Sequence, residues 1–311
     1  MFLVDMMSTA EYDEAISIHL LERWKTVIVI AFILVIGSGL MHAVWNLFTK
    51  TSTNKIVFLW SIHITSFVLL LPQFVSELLQ TQLSSSVLAL MLLSMTFQMA
   101  YCLLLPIVYR LGDMSQMYPI MRGTGALLVP VLSVVFMGES MTPVGWAGVC
   151  GIVLGLFALG GFTKKRENKT FAFRNFLPVL AVGLCITGYV MTDKIVLQTL
   201  SPVALIELAN IAYLLVLSPI ALRSGLIKQE WKMNFKTILL GTVCSPGSYL
   251  LFLFAMKLAP LSYLAPMREI GTVFGAIFGI FLLKESDGLR RIVLSGVITA
   301  GVISIGIWGN P

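Results

Sequence analysis

The chain has 311 residues, of which 58% are hydrophobic and 12% charged, and its mean hydropathy is +0.92. That composition excludes a soluble globular domain and places the chain in a bilayer. The formal charge of +6 is scattered over short connections, so no soluble face is left to hold a nucleic acid, and membrane orientation is its meaning.

The first 25 residues carry Asp5, Glu11, Asp13 and Glu14 and lack a basic start, which argues against a signal peptide. Ile16, Leu20 and Trp24 recur every four residues, so residues 1–26 are expected to lie along the membrane surface. A helix needs roughly 20 apolar residues to cross the hydrocarbon. On that measure ten spans are predicted, at 27–49, 56–78, 86–110, 113–137, 142–162, 176–197, 202–222, 236–257, 260–283 and 288–308. None alternates in polarity as a barrel strand would.

The stretch from Gly39 to Gly161 reappears, much altered, from Gly183 to Gly306. Gly39, Leu40 and Lys50 recur 144 positions later as Gly183, Leu184 and Lys194, and Trp45 falls on Tyr189. Arg110, Ser115 and Pro119 recur 147 positions later as Lys257, Ser262 and Pro266; Arg122 and Glu139 recur 146 later as Arg268 and Glu285. Arginine and glutamate are scarce in apolar sequence, so these matches weigh more than those of leucine or glycine. The expected division is a first repeat over 27–162, a polar linker over 163–175 and a second repeat over 176–308. Five spans per copy is an odd number, so the second copy enters the membrane from the opposite side, the inverted plan of secondary transporters.

Fifteen lysines and arginines lie on the loops and helix ends after odd-numbered spans. Four, namely Arg23, Lys25, Lys194 and Lys257, lie on the other side. The positive-inside rule then places both termini outside the cytoplasm. Cys102, Cys150, Cys185 and Cys244 fall inside spans without a C-x-x-C pair and read as buried small residues.

Candidate site residues lie inside the spans. His42, Trp45, Asn46 and Thr49 share one helical face of span one, forming a polar stripe suited either to a cavity or to a seam between helices. Spans four and nine carry Arg122 and Arg268 just after Pro119 and Pro266. Each proline lacks the N–H that would bond the carbonyl four residues back, which predicts a kink beside each guanidinium. A guanidinium fork fits carboxylate or phosphate, so both arginines are candidate anion ligands; alternatively Glu269 and Glu207 neutralise them. Tyr101, Tyr118 and Tyr249 are further candidates for lining a cavity. His63 reads as a satisfied buried histidine, Glu139 and Glu285 as surface helix caps, and Gly271, Gly275 and Gly279 as a small-residue packing face. Glu207 or Glu269 is a candidate proton-coupling carboxylate.

With His42-Ala43-Val44-Trp45-Asn46, Pro119-Ile120-Met121-Arg122-Gly123, Gly138-Glu139 and Leu282-Leu283-Lys284-Glu285, the chain resembles the ten-span EamA branch of the drug/metabolite transporter superfamily. The resemblance implies a five-plus-five bundle with a central cavity built by spans one to four and six to nine, and with spans five and ten at the back. It also implies amino acids, other metabolites, nucleotide sugars or organophosphates as solutes. By position, Arg122 and Arg268 match basic residues that hold the anion in the phosphate-carrying branch. Relatives are expected with cytoplasmic termini, against the charge count here.

The expectation is therefore an all-helical inner-membrane secondary transporter of a small polar metabolite, anionic or zwitterionic, acting by alternating access. Its partners would be the small-molecule substrate and the lipid bilayer, with no nucleic acid, as a monomer or homodimer. No cofactor, metal or catalytic residue is expected, since no hydrolase, zinc or Walker signature occurs. The alternatives are an exporter of amphipathic drugs, an intramembrane enzyme or a membrane scaffold.

Overall fold

A computed structural model describes the backbone of residues 9–111, 114–159, 173–282 and 288–309, and the side chains of 26–108, 119–159, 177–282 and 289–309. The helices are α1 (Thr9–Thr51), α2 (Lys55–Gln80), α3 (Ser85–Leu111), α4 (Met114–Met137), α5 (Pro143–Leu159), α6 (Phe173–Val196), α7 (Pro202–Arg223), α8 (Ile227–Leu258), α9 (Leu261–Met267), α10 (Ile270–Phe281) and α11 (Gly288–Trp308). Among the described residues nine segments are long and apolar enough to cross a membrane, α9 and α10 together making one of them; α5, with 17 residues, is shorter. Large apolar side chains point outward all round, with Leu69 67%, Phe136 75%, Leu154 68% and Leu289 78% exposed. Water would penalise that surface and lipid does not.

Three boundaries differ from expectation for visible reasons. Backbone helix runs without a break from Thr9 into the first span, so the amphipathic segment and the span share one rod; the side chains before Thr26 lie outside the described residues. Helix α8 begins nine residues earlier than the sequence suggested because about two polar turns precede the span and join it at a kink, where Asn234 has φ −119° and ψ 22°. The ninth span is interrupted: after Pro266 the backbone bonds shorten from four residues to three, with Glu269 N–H on Pro266 O, Gly271 on Arg268 and Thr272 on Glu269. The matched kink expected at Pro119 does not divide α4, whose helix continues through it, although Pro119 and Pro266 each stand sixth in their helices. The linker over 163–175 lies outside the described residues except at its end, where α6 begins at Phe173.

Hydrogen bonds establish which helix ends share a face. On one face Glu77 at the end of α2 accepts from Ser201 N (2.6 Å) and Ser201 Oγ (2.5 Å) before α7. There too Glu139, just after α4, accepts from the backbone N–H groups of Leu261 (2.8 Å) and Ser262 (2.7 Å) at the start of α9. Lys194 at the end of α6 donates to the carbonyls of Met256 and Ala259 at the end of α8. Each carboxylate satisfies otherwise orphaned helix N–H donors, and each lysine contact satisfies orphaned carbonyls. Glu139 thus caps a helix, as expected, but it is span nine and not the next one in sequence; Glu285 lies outside the described side chains. On the opposite face Glu230 accepts from Asn54 N at 2.7 Å, and Arg290 donates to Ala158 O.

The packing partners exchange in pairs. Helix α1 lies against α8 and α10, while α6 lies against α3 and α4; α2 meets α7, and α5 meets α11. At the α1–α10 crossing a Cβ on Gly39 would stand 2.9 Å from Gly271 N, and one on Gly271 would stand 3.0 Å from Gly39 O. Only glycine permits backbones that close. Of the small-residue face expected on span nine, Gly271 makes this contact, whereas Gly275 meets open space. The cysteines divide similarly: Cys102 and Cys185 are buried, but Cys150 is exposed on the lipid side of α5, where a thiol is apolar enough to stay.

Candidate functional site

Two residues of the polar stripe of α1 bond within their own helix. Asn46 Nδ2 donates to His42 O at 2.7 Å and Thr49 Oγ1 to Trp45 O at 2.9 Å, each one turn back on its own helix. His42 and Trp45 meet edge to face with centroids 5.1 Å apart. All four side chains remain half-buried on a face turned away from lipid-contacting Leu40, which is how residues lining a wet interior space behave.

Deeper in, aromatic rings run from helix to helix. His63 of α2 stacks on Tyr213 of α7 at 4.5 Å, Tyr213 meets Tyr101 of α3 at 6.5 Å, Tyr101 meets Tyr189 of α6 at 6.4 Å, and Tyr189 meets Tyr249 of α8 at 5.8 Å. These tyrosines are half-buried as well. His63 also bonds Asn210 Oδ1 through Nδ1 at 2.9 Å, the satisfied state the sequence suggested. Tyr118 lies outside the described side chains.

The two arginines have different surroundings. Arg122 is held by Glu269 in a two-pronged pair, Nε to Oε2 at 3.0 Å and the terminal nitrogen to Oε1 at 2.7 Å. Parallel bonds of this kind are the strong form of the interaction. Arg268, at the break between α9 and α10, has no such partner. Its Nε donates to Ser38 Oγ at 3.2 Å and a terminal nitrogen lies 3.5 Å from Ser248 Oγ. The guanidinium carbon stands 4.5 Å from the Phe252 ring centre and 5.2 Å from that of Tyr249. Ser38 and Ser248 in turn exchange bonds with each other's carbonyls, Ser38 Oγ to Ser248 O at 2.6 Å and Ser248 Oγ to Ser38 O at 2.9 Å. A guanidinium offers five N–H donors, and two contacts leave most of Arg268 uncommitted. None of its atoms is among the sealed orphan groups, which are Ser61 Oγ, Glu207 Oε1, Ser262 Oγ and Ser295 Oγ among the described residues. Its uncommitted donors are therefore not sealed within the protein. Ser38 stands four residues before His42 on α1, and its bond to Arg268 brings the α1 stripe next to the same site.

Glu207 stands apart from both arginines. It is fully buried and bonds Asn210 Nδ2 at 3.0 Å, with Asn210 also on Ser66 Oγ at 3.0 Å. Sequence reasoning passed over Tyr189, Tyr213, Phe252, the two serines and above all Asp193. Asp193 is fully buried in α6, and an aspartate inside an apolar span was itself the available signal. A crevice between α1, α9 and α11 is lined by Phe32, Leu264, Met267 and Ile305 and carries no charge, so it suits an acyl chain more than a polar solute.

Comparison with known proteins agrees with this architecture. Residues 176–307 match the model of the EamA-like transporter family. Among curated proteins none matches. One crystal structure of a protein is similar over 91% of this chain and 96% of that one, with a TM-score of 0.65 and 14% sequence identity, a likeness of fold alone. Over its second half this multi-pass membrane protein is thus similar to the EamA-like transporter family, of the drug/metabolite transporter superfamily that its motifs resemble.

Proposed function

We propose that the chain is a secondary transporter for a small organic solute bearing a carboxylate or phosphate, as an anion or zwitterion, and that Arg268 holds the anionic group. The observation that carries this reading is the asymmetry of the arginines: Arg122 is neutralised by Glu269 at 2.7 Å, whereas no carboxylate pairs with Arg268 among the described residues. A buried cation with open donors is costly unless something anionic visits it. The tyrosines and Trp45 supply amphipathic walls for the rest of the solute.

The exchange of packing partners between α1–α5 and α6–α11 supports an inverted repeat. Alternating access then follows as rocking of one half on the other. The carboxylate contacts of Glu77 and Glu139 join the two halves on one face, and the half-buried α1 stripe lies toward the other, so the cavity in this conformation opens opposite Glu139. By the charge count that opening is cytoplasmic, in the inner membrane. Introduced as Asn168→Cys, a thiol in the linker should resist an impermeant maleimide applied to intact cells and react after permeabilisation. Labelling from outside would reverse the orientation.

Thermal stabilisation of the purified protein across a panel of amino acids, organophosphates, carboxylates and amphipathic cations tests the solute class. Stabilisation by anionic or zwitterionic members, absent in Arg268→Gln, is the expected result; stabilisation by amphipathic cations alone would favour a drug exporter.

A further inference from the structure

Asp193 is a buried carboxylate that the solute reading leaves unused. Its Oδ1 accepts from Ser94 Oγ of α3 at 2.5 Å and its Oδ2 from Tyr249 Oη of α8 at 2.5 Å. Gln98 supports Ser94 at 3.2 Å. Both partners are neutral hydroxyls. The charged and titratable groups on the surrounding helices are engaged elsewhere: Arg122 of α4 holds Glu269, Lys194 beside it on α6 turns to the carbonyls of Met256 and Ala259, and Tyr101 and Tyr189 meet ring to ring. Cys102 of α3 is a buried thiol. Glu269 is spoken for by Arg122. Arg268 lies beyond, its guanidinium carbon 5.2 Å from the ring of the tyrosine that Asp193 holds.

We propose that Asp193 is the proton-coupling site of this transporter, taking up a proton when an anion occupies Arg268, with Tyr249 as the link between them. The proposal rests on the anion reading of Arg268. Without solute, the Arg268 cation lies across Tyr249 from the Asp193 anion, which partly offsets the two charges but leaves the open donors of Arg268 unsatisfied. When a carboxylate or phosphate arrives, it satisfies Arg268 and leaves Asp193 as an excess buried anion, a state that a low-dielectric interior disfavours. Uptake of a proton restores neutrality. Asp193 is sealed while Tyr249 is half-buried at the cavity, so the tyrosine hydroxyl passes its proton to Oδ2 and accepts another from cavity water. The step balances as one hydronium of the aqueous phase giving its proton, one carboxylate becoming one carboxylic acid, and Tyr249 ending unchanged. By linkage, protonation of Asp193 must strengthen anion binding by the same factor, which couples a proton gradient to solute movement.

Infrared difference spectroscopy of the full-length protein in lipid tests this, because a protonated buried carboxyl has its own C=O band. A band present in wild type and in Glu207→Gln, and missing in Asp193→Asn, identifies the residue. Three comparisons of its pH midpoint follow. In Arg268→Gln, with no solute added, the band should persist to higher pH by about one unit or more, since the compensating cation is gone. In Arg268→Lys, which keeps the charge, it should stay near the wild-type midpoint; this variant separates electrostatics from misfolding. Benzoate added to wild type should raise the midpoint by about one unit, equivalent to a tenfold difference in benzoate affinity between the two protonation states. An Asp193 band indifferent to Arg268→Gln overturns the coupling. A band that moves in Arg268→Gln while benzoate and the organophosphates of the panel leave wild type unmoved keeps the coupling and overturns the anion reading instead.

Discussion

Arg268→Gln is expected to weaken solute binding by roughly 2–5 kcal/mol, the range for breaking a desolvated charge-assisted contact, while the protein still inserts and melts near the wild-type temperature. Two features of the site decide the second half of that statement. Arg268 touches no carboxylate among the described residues, and Asp193, beyond Tyr249, can take up a proton when the cation is lost; the protein contacts of Arg268 are a 3.2 Å bond to Ser38, a 3.5 Å approach to Ser248 and two ring faces. The serines keep their reciprocal bonds across the α1–α8 seam without it. Arg268→Lys retains the charge and loses the planar fork, so it should fall between wild type and the glutamine variant. Binding is measured by calorimetry with the strongest member of the solute panel, beside thermal melting of the same preparations. Wild-type affinity in Arg268→Gln would end the anion-site proposal; early melting with unchanged affinity in the folded fraction would make Arg268 structural.

The legible part of the molecule was the part written in rare residues. Arginine and proline inside apolar runs marked spans four and nine, and Arg268 and Pro266 do sit at the one break that divides a span. Composition and run length gave the membrane class and most span limits. The pairing did not follow from the sequence, because either glutamate could neutralise either arginine on paper; only the fold brings Glu269 to Arg122 and leaves Glu207 with Asn210. The proline signal was read alike in both halves and the two prolines stand at the same place in their helices, yet the backbone runs on through Pro119 and is interrupted after Pro266. Asp193 was hidden by its neighbour, since Lys194 served the repeat match and drew attention away from the carboxylate before it. The tyrosine ladder is a property of five helices meeting, and spacing along one of them carries no trace of it.

The same asymmetry makes Arg122 the more dangerous residue to change. Its side chain and that of Glu269 are 10% and 5% exposed and lie 2.7 Å apart, joining α4 to the broken ninth span across the middle of the bundle. Arg122→Gln leaves Glu269 as an unpaired buried carboxylate, for which loss of about 3–5 kcal/mol of stability is expected. Thr272 Oγ1, at 3.4 Å from Glu269 Oε2, is too distant a hydroxyl to replace a guanidinium. Adding Glu269→Gln removes the orphaned charge, so the double variant should recover most of the lost melting temperature, and by more than the sum of the single effects allows. Solute affinity should survive in the double variant, because the Arg268 donors are untouched. The comparison therefore runs opposite to that for Arg268, with stability lost first and binding retained. If Arg122→Gln instead melts like wild type and loses the solute, the ion pair is a resting state that the solute displaces, and Arg122 takes the anion-binding role assigned here to Arg268.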